Sequence, residues 1–501
     1  MSERNVPVLI VGGGITGLTT ALFLSWHGVR CTLVERHPDL LTHPRARGLT
    51  PRTMELYRQA GLEQAIRDAA YVGGGFTWTP VVADTLAGEH ASPEEPDEDD
   101  GSGSSPCGFG PIDQDRLEVI VRDQARKLGA DLRFGTELVA FEQDGEGVTA
   151  TLLDRTSGVR ESVRAGYLVA ADGFHSPVRH RLGIEVDGPG PMFTTLTAIV
   201  EADLNPALRG RTLSIAYLQR PRPYTMLMAH DTEGRRWVFG TGLDGAAEDY
   251  DDERVAAMVR EAAGLPDAEV RLHPQIPGTD LTVLAFPIGA HLARSYRRGR
   301  VFLAGDAAHV WPPTGGLGAN AGIQDAHNLA WKLAWVITGR AGAGLLDTYQ
   351  AERRPVGELT MGQALARFGA RMGPGRGPQV IDYGAVSMGY RYPVDGERPG
   401  EPVQPRLLDG TPGTRAPHVP LAGGRSTLDL YGSAFVLLTP SPAWRSPDAD
   451  VQVVEEEVAR AHGIGPEGAA LVRPDGFVAW RSDAHDEEEL ARALDEVLHR
   501  L

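Results

Sequence analysis

Residues 8 to 35 read Val8-Leu9-Ile10-Val11-Gly12-Gly13-Gly14-Ile15-Thr16-Gly17, then a helix-forming stretch Leu18 to His27, then a strand Arg30 to Val34 that ends on Glu35. An apolar strand enters GxGxxG, a helix follows, and a second strand closes on an acid, which together make the βαβ unit that cradles a dinucleotide. Gly12 permits the tight turn, Gly14 lets bare backbone approach a pyrophosphate, and Gly17 lets the helix lie close on the strand. The phosphates are expected at the positive helix end, where Ile15 and Thr16 open the first turn, and Glu35 is expected to accept from ribose hydroxyls. A second match, Gly240-Thr241-Gly242-Leu243-Asp244-Gly245, is followed by Glu248, Asp249, Asp251, Asp252 and Glu253 where phosphates need an electropositive end, and it reads as a loop.

The chain has 501 residues, enough for two or three domains. Its formal charge of -18, from 49 Lys+Arg against 67 Asp+Glu, argues against nucleic acid and anionic membrane as partners. The start, Met1-Ser2-Glu3-Arg4-Asn5-Val6-Pro7, has no basic n-region or long apolar h-region, and no apolar run elsewhere reaches membrane length, so a cytoplasmic protein is expected. Cys31 and Cys107 stand far apart, which leaves neither a disulfide framework nor a CxxC pair. The 15 His are scattered without ligand spacing, and no metal is expected.

Along the chain, Pro51 to Ala69 predicts a helix with Met54, Leu56, Tyr57 and Leu62 on its apolar face. Glu89 to Asp100 holds seven acids and no Lys or Arg, which predicts a solvated loop. A helix restarts from Ile112 to Leu128, Asp131 to Leu153 alternates like a hairpin around Asp144-Gly145-Glu146-Gly147, and Tyr167 to Ala171 is a buried strand. Thr195 to Glu201, Leu213 to Gln219, Tyr224 to His230 and Arg236 to Gly240 predict an inserted sheet. Pro393 to Pro420 reads as a linker, followed by strands Phe435 to Leu438 and Val451 to Val454, a hairpin Ala470 to Trp480 and an amphipathic helix Glu487 to Leu498.

A second informative stretch runs Val301-Phe302-Leu303-Ala304-Gly305-Asp306-Ala307-Ala308-His309-Val310-Trp311-Pro312-Pro313-Thr314-Gly315-Gly316-Leu317-Gly318-Ala319-Asn320 into a helix. Asp306 suits sugar-type hydroxyls, and the helix start with its free amides suits an anion developing on a ring. A flavin has both needs. With the DG box Asp172-Gly173-Phe174-His175-Ser176-Pro177-Val178-Arg179, the chain closely resembles the flavin-dependent aromatic hydroxylases of the para-hydroxybenzoate hydroxylase fold. Pro312 to Gly316 and Ser426-Thr427-Leu428-Asp429-Leu430-Tyr431-Gly432 resemble the bacterial polyketide monooxygenases within that family.

The resemblance implies an α/β protein: a Rossmann-type FAD-binding domain from 1–75, 104–180 and 282–394, an inserted, mostly antiparallel β-sheet substrate domain from 76–103 and 181–281, and a thioredoxin-like domain without CxxC from 395–501. It implies FAD held by Gly12, Gly14, Gly17 and Glu35, with Arg36 and Arg45 near adenine and phosphate and Gln114, with Arg116 as a weaker candidate, at the ribityl region. Asp306 is implied for the ribityl chain, and Pro313, Gly316, Leu317, Gly318, Ala319 and Asn320 for the ring edge. The resemblance also implies that the DG box, with Asp172, serves both flavin and NADPH, and that the absence of a second βαβ fingerprint is normal; for Arg36 and Arg116 a solvated surface role stands equally open.

The implied reaction is NADPH- or NADH-driven hydroxylation of an aromatic polycycle by dioxygen through a flavin C4a-hydroperoxide. The inserted sheet is expected to roof the substrate. Tyr224 and Tyr217 are candidates to bond a substrate oxygen and Arg367 or Arg371 to polarise it, with Tyr224 and Arg371 preferred, set against plain packing in a sheet and solvated arginines. Phe76, Trp78, Met226, Met228, Trp237 and Phe239 suit a wide flat ligand, or simply a core. His309 reads as a packing or hydrogen-bonding residue. Two rivals stay open: Baeyer-Villiger oxygen insertion into a ketone, and a non-oxygenating flavoprotein that binds an aromatic ligand.

Overall fold

In the computed structural model, which describes residues 4–41, 45–70, 80–92, 103–230, 234–276, 279–372, 379–394 and 396–500, the βαβ unit lies at the middle of a parallel sheet. Strand Arg4–Val11 pairs in parallel with Cys31–Glu35 on one side and Arg160–Ala170 on the other, with Val8 opposite both Cys31 and Tyr167. Beyond these lie Asp131–Phe134 at one edge and Val301–Leu303 with Arg297–Arg298 at the other. Val8, Leu9, Ile10, Leu168 and Val169 are wholly buried, as a sheet covered on both faces requires. Helix Ile15–Trp26 covers one face and packs on helices Gln114–Lys127 and Leu317–Ile337.

Two local expectations change. The helix expected from Pro51 to Ala69 is two helices, Pro51–Gln59 and Glu63–Asp68, parted at Gly61 with φ of +75°. Its apolar face holds: Met54, Leu56, Tyr57 and Leu62 are buried. Asp131–Phe134 joins Cys31–Glu35 in parallel, so the hairpin is Thr136–Gln143 with Val148–Asp154 alone. The Asp144 carboxylate closes that turn by accepting the Glu146 and Gly147 amides at 2.8 and 3.0 Å.

The second sheet runs His309–Val310, Val283–Ala293, Val186–Glu201, Arg236–Gly242, Thr225–Ala229, Ile215–Leu218 and Pro80–Ala83, antiparallel except for its last pair. Period-two alternation gives it two different faces. Ala216, Leu218, Leu227, Trp237 and Phe239 bury against helix Asp252–Ala263, while Ile215, Tyr217, Met226, Met228 and Val238 form the opposite face. Trp237 and Phe239 are therefore core rather than roof, because they alternate with Val238 along one strand; Phe76, Trp78 and residues 93–100 of the acidic run lie outside the described residues. Gly240 to Gly242, expected as loop, end strand Arg236–Gly242 opposite Thr195 to Thr197.

The C-terminal unit is a four-stranded sheet, ordered Ala449–Val453, Phe435–Thr439, Ala469–Val472, Val478–Ser482, with helices Glu456–Ala461 and Glu487–Val497. Two buried ionic networks fasten it. Arg473 donates to both Glu352 oxygens at 2.8 Å and to Asp475 at 2.6 Å, while Asn328 and the Trp331 indole donate to Asp475 at 3.2 Å and Lys332 to Glu352 at 2.7 Å. Burial lowers the Lys332 ammonium to about 8, against the opposing pull of Glu352. In the second network Arg415, in the stretch expected to be a linker, binds Glu55 together with Arg52 and Ser105. Cys31 and Cys107 are both buried, and burial pushes the Cys31 thiol up to about 11. No helix among the described residues is long and apolar enough to cross a membrane, and no group of three His, Cys, Asp or Glu among them converges to hold a metal.

Removing Asp475 strands buried donors on Arg473, Asn328 and Trp331. Asp475→Ala is expected to cost about 3–5 kcal/mol of unfolding free energy in denaturant titration. Arg58→Ala, which breaks a pair with Asp429 left 27% and 23% exposed, is expected to cost no more than about 1 kcal/mol.

Candidate active site

At its first turn, the first helix meets the sheet backbone to backbone. A Cβ on Gly17 would lie 1.9 Å from the Gly12 carbonyl oxygen, and one on Gly12, whose φ is +111°, would lie 2.1 Å from the Ala171 oxygen. A Cβ on Gly14 would meet only Arg45 and Glu118, both at 3.9 Å, so this is the open side of the turn. Gly14 stands at the N-cap with no side-chain cap, and no acid lies in the first turn. Free amides, a positive dipole end and bare backbone facing open space suit the diphosphate of a dinucleotide.

Around that end, Glu35 accepts the Gly13 amide at 2.7 Å and the His37 amide at 2.8 Å. Arg36 is exposed. Arg45 donates to both oxygens of Glu118 at 2.7 and 2.9 Å, and Gln114 donates to Glu118 at 2.8 Å while accepting the Ala46 amide at 3.3 Å. Glu118 was not anticipated, although it lies four residues beyond Gln114 on the same helix face. Burial raises its pKa, opposed by the Arg45 charge. Arg116 stays apart from this cluster and reaches the Ala69 carbonyl at 3.3 Å.

The DG and GD turns are tied to each other. Asp172 accepts the Ser176 hydroxyl at 2.6 Å and the Val178 amide at 3.0 Å, and burial raises its pKa. Arg179 donates to the Ala307 carbonyl at 2.7 Å and to the Phe174 carbonyl at 3.2 Å. Asp306, at the GD turn, is exposed. Surrounding protein raises its pKa, with the His309 and Arg45 charges pulling the other way. The Thr16 side chain fills the space beside Gly305 and Gly322, where a Cβ would fall 2.4 and 2.5 Å from its hydroxyl oxygen. Beneath, Asp325 accepts the Gly305 amide at 3.1 Å, His309 Nε2 at 2.6 Å and Arg353 Nε at 2.7 Å, which gives His309 its hydrogen-bonding role.

Past the turn, Pro313 and Gly316 are exposed, and Gly316, with φ of +64°, is the uncapped start of helix Leu317–Ile337. Leu317 is buried, and Gly318 and Ala319 are half-buried. The Asn320 side chain is committed elsewhere: it donates to Gly48 at 3.1 Å and Gly316 at 2.8 Å and accepts the Thr50 amide at 2.9 Å. It fastens the 48–50 loop to the helix start, so of Asn320 only the backbone faces the ring edge expected from the sequence.

On the roof, the expected pairing of Tyr224 with Arg371 gives way to another. Arg371 donates to the Tyr217 hydroxyl at 3.0 Å and lies 5.3 Å from the centre of its ring, with both residues buried. Tyr224, 39% exposed and at a φ of +69°, stacks instead with Phe193 and Phe368 at 4.9 and 5.6 Å. The cause is register: Tyr217 sits within strand Ile215–Leu218 on the roof face, whereas Tyr224 lies in the turn just before Thr225–Ala229. Arg367 binds Gln363 at 3.0 Å and the Ile381 carbonyl at 2.7 Å.

An uncapped glycine-lined helix start, an exposed acid at the GD turn and a second uncapped helix fit FAD from diphosphate to ring. The FAD binding domain family matches residues 5–364, and the C-terminal domain of aromatic-ring hydroxylases matches residues 409–500. The chain is 44% identical to a putative polyketide hydroxylase of Streptomyces halstedii, over 96% of this chain and 94% of that one. It is 40% identical to tetracenomycin A2 monooxygenase-dioxygenase of Streptomyces glaucescens, over 100% and 98% of the two chains. Its fold superposes on aklavinone-11 hydroxylase, solved as a ternary complex with FAD and aklavinone, with a TM-score of 0.90 at 35% identity over 100% of both chains. The chain belongs to the FAD-dependent aromatic-ring hydroxylases and is a flavin monooxygenase.

Proposed function

We propose that the protein hydroxylates a polycyclic, polyketide-type phenol, drawing on NADPH or NADH and dioxygen in the cytoplasm, with the diphosphate of FAD at Gly12 to Gly17, its ribose at Glu35 and its ribityl chain at Asp306. One observation carries the substrate class: an apolar sheet face of Ile215, Met226, Met228 and Val238 that also carries the Tyr217 hydroxyl, held by Arg371. Such a face matches flat fused rings with few oxygens. That aklavinone-11 hydroxylase, at 35% identity and a TM-score of 0.90, was solved with aklavinone bound supports the same class.

Bound FAD supplies the redox chemistry, taking electrons from the nicotinamide and activating dioxygen. The protein's residues do the rest. A guanidinium only donates, so the Tyr217 oxygen accepts from Arg371 and its own proton points elsewhere, toward a substrate oxygen. The Arg371 charge, buried beside it, favours negative charge on that oxygen, and an electron-rich ring is the one that accepts electrophilic oxygen. Met226, Met228 and Val238 keep water from the ring. Tyr224, stacked with Phe193 and Phe368, borders the same roof as an aromatic wall.

FAD-loaded protein is to be screened with anthracycline-, tetracycline- and angucycline-like phenols for NADPH oxidation coupled to product. A ring hydroxyl by NMR is expected; a lactone, or hydrogen peroxide as the only product, would overturn the proposal. Arg371→Met is expected to lower kcat/KM about 10- to 100-fold, the loss of one charged hydrogen bond, with more peroxide per NADPH consumed. For the cofactor, Gly17→Val places a side chain on the Gly12 carbonyl and is expected to abolish FAD binding in a fluorescence titration.

A further inference from the structure

Five tryptophans among the described residues are more than nine-tenths buried: Trp237, Trp311, Trp331, Trp335 and Trp444. Four donate their indole N–H, Trp237 to the Gly234 carbonyl at 2.9 Å, Trp331 to Asp475 at 3.2 Å, Trp335 to the Ser433 carbonyl at 3.3 Å and Trp444 to the Glu467 carbonyl at 3.0 Å. Trp311 Nε1 has no acceptor among the described residues. A buried indole N–H ordinarily finds one, and an orphan in a native site marks a place for a group that arrives with a ligand.

The surroundings of this donor say which ligand. Trp311 opens the loop to the uncapped helix Leu317–Ile337 and packs against Ala290, Ala321 and Ala364. A Cβ on Gly318, in the first turn of that helix, would meet only Trp311 Nε1, at 3.7 Å. The N–H therefore opens onto the helix start across a position without a side chain. Its plane is fixed from behind: the indole stacks on His309 at 4.5 Å and 9°, His309 is held by Asp325 at 2.6 Å, and Asp325 also holds the Gly305 amide beside Asp306. A donor so braced pays little to order itself when an acceptor arrives.

We propose that the Trp311 indole N–H donates a hydrogen bond to the acceptor edge of the FAD ring system, the carbonyl oxygens and ring nitrogens of the isoalloxazine. This rests on the placement of that ring at the start of helix Leu317–Ile337. Those acceptors gain negative charge on reduction, so the bond is stronger to reduced flavin and makes the bound flavin easier to reduce.

The test compares FAD-stripped wild type, Trp311→Phe and Asp306→Ala. Phenylalanine keeps an aromatic ring against His309 and removes the donor, together with the volume of the second ring. Trp311→Phe is expected to bind FAD about three- to tenfold more weakly, the worth of one hydrogen bond. Its visible flavin bands should shift and its midpoint potential should fall. A folded Trp311→Phe protein with unchanged affinity, bands and potential overturns the inference, and so does one that loses only substrate affinity. Normal FAD affinity in Asp306→Ala would instead overturn the placement of the flavin itself, whereas lost FAD there with an unaffected Trp311→Phe refutes the donor alone. Should Trp311→Phe not fold, wild type labelled with 15N-tryptophan decides: one indole proton is expected to move downfield and exchange more slowly when FAD is added, and an unchanged indole spectrum refutes the assignment.

Discussion

No side chain separates the first strand, the first helix and the DG turn, and that bare contact sets the position of everything around the cofactor. With Gly17 against the Gly12 carbonyl and Gly12 against the Ala171 carbonyl, the helix Ile15–Trp26 has one height above the sheet. Thr16, one residue earlier, then fills the gap left by Gly305 and Gly322, so the GD turn and the long helix Leu317–Ile337 are referenced to the same helix start. Interiors packed this closely do not deform continuously, and a methyl group at either glycine has nowhere to go.

A second fixed point lies under the GD turn. Asp325 is fully buried and takes three donors, and its pKa is lowered because His309 and Arg353 outweigh the upward push of burial. Arg353 goes on to Tyr390 and Tyr392 at 3.2 and 3.3 Å, and Tyr392 stacks at 4.2 Å on Phe477 of the C-terminal unit. With Asp475 holding Asn328 and Trp331, and Arg473 holding the Glu352 that takes Lys332, that unit clamps the far half of helix Leu317–Ile337. A domain without a dithiol thus has a structural office. Buried ion pairs add little net stability, but each holds its partners to one arrangement.

What the chain disclosed in advance follows from the range of each interaction. The βαβ unit, the GD stretch and the strands of the C-terminal sheet were legible because their signals are local: a period, a turn glycine, an acid at a strand end. The Gly61 break was missed because it sits inside an otherwise continuous apolar pattern. Tyr217 with Arg371 was not legible as a pair, since 154 residues separate them and only the strand register decides which tyrosine meets the arginine. Asn320 suited the ring edge by position, yet its side chain is spent on Gly48 and Thr50, some 270 residues away, a commitment no local pattern encodes. Trp237 and Phe239 likewise needed the location of helix Asp252–Ala263 before their face could be assigned.

Charge in the cleft is balanced before any ligand arrives. Arg45 is 37% exposed, while its partner Glu118 is only 1% exposed, so the cation faces the cleft and its counter-charge lies behind it. With both Glu118 oxygens on one guanidinium nitrogen and Gln114 bracing the carboxylate, the remaining edge of Arg45 stays available to an anion. Burial raises the Glu118 pKa against the pull of Arg45, so the carboxylate depends on that guanidinium to keep its charge.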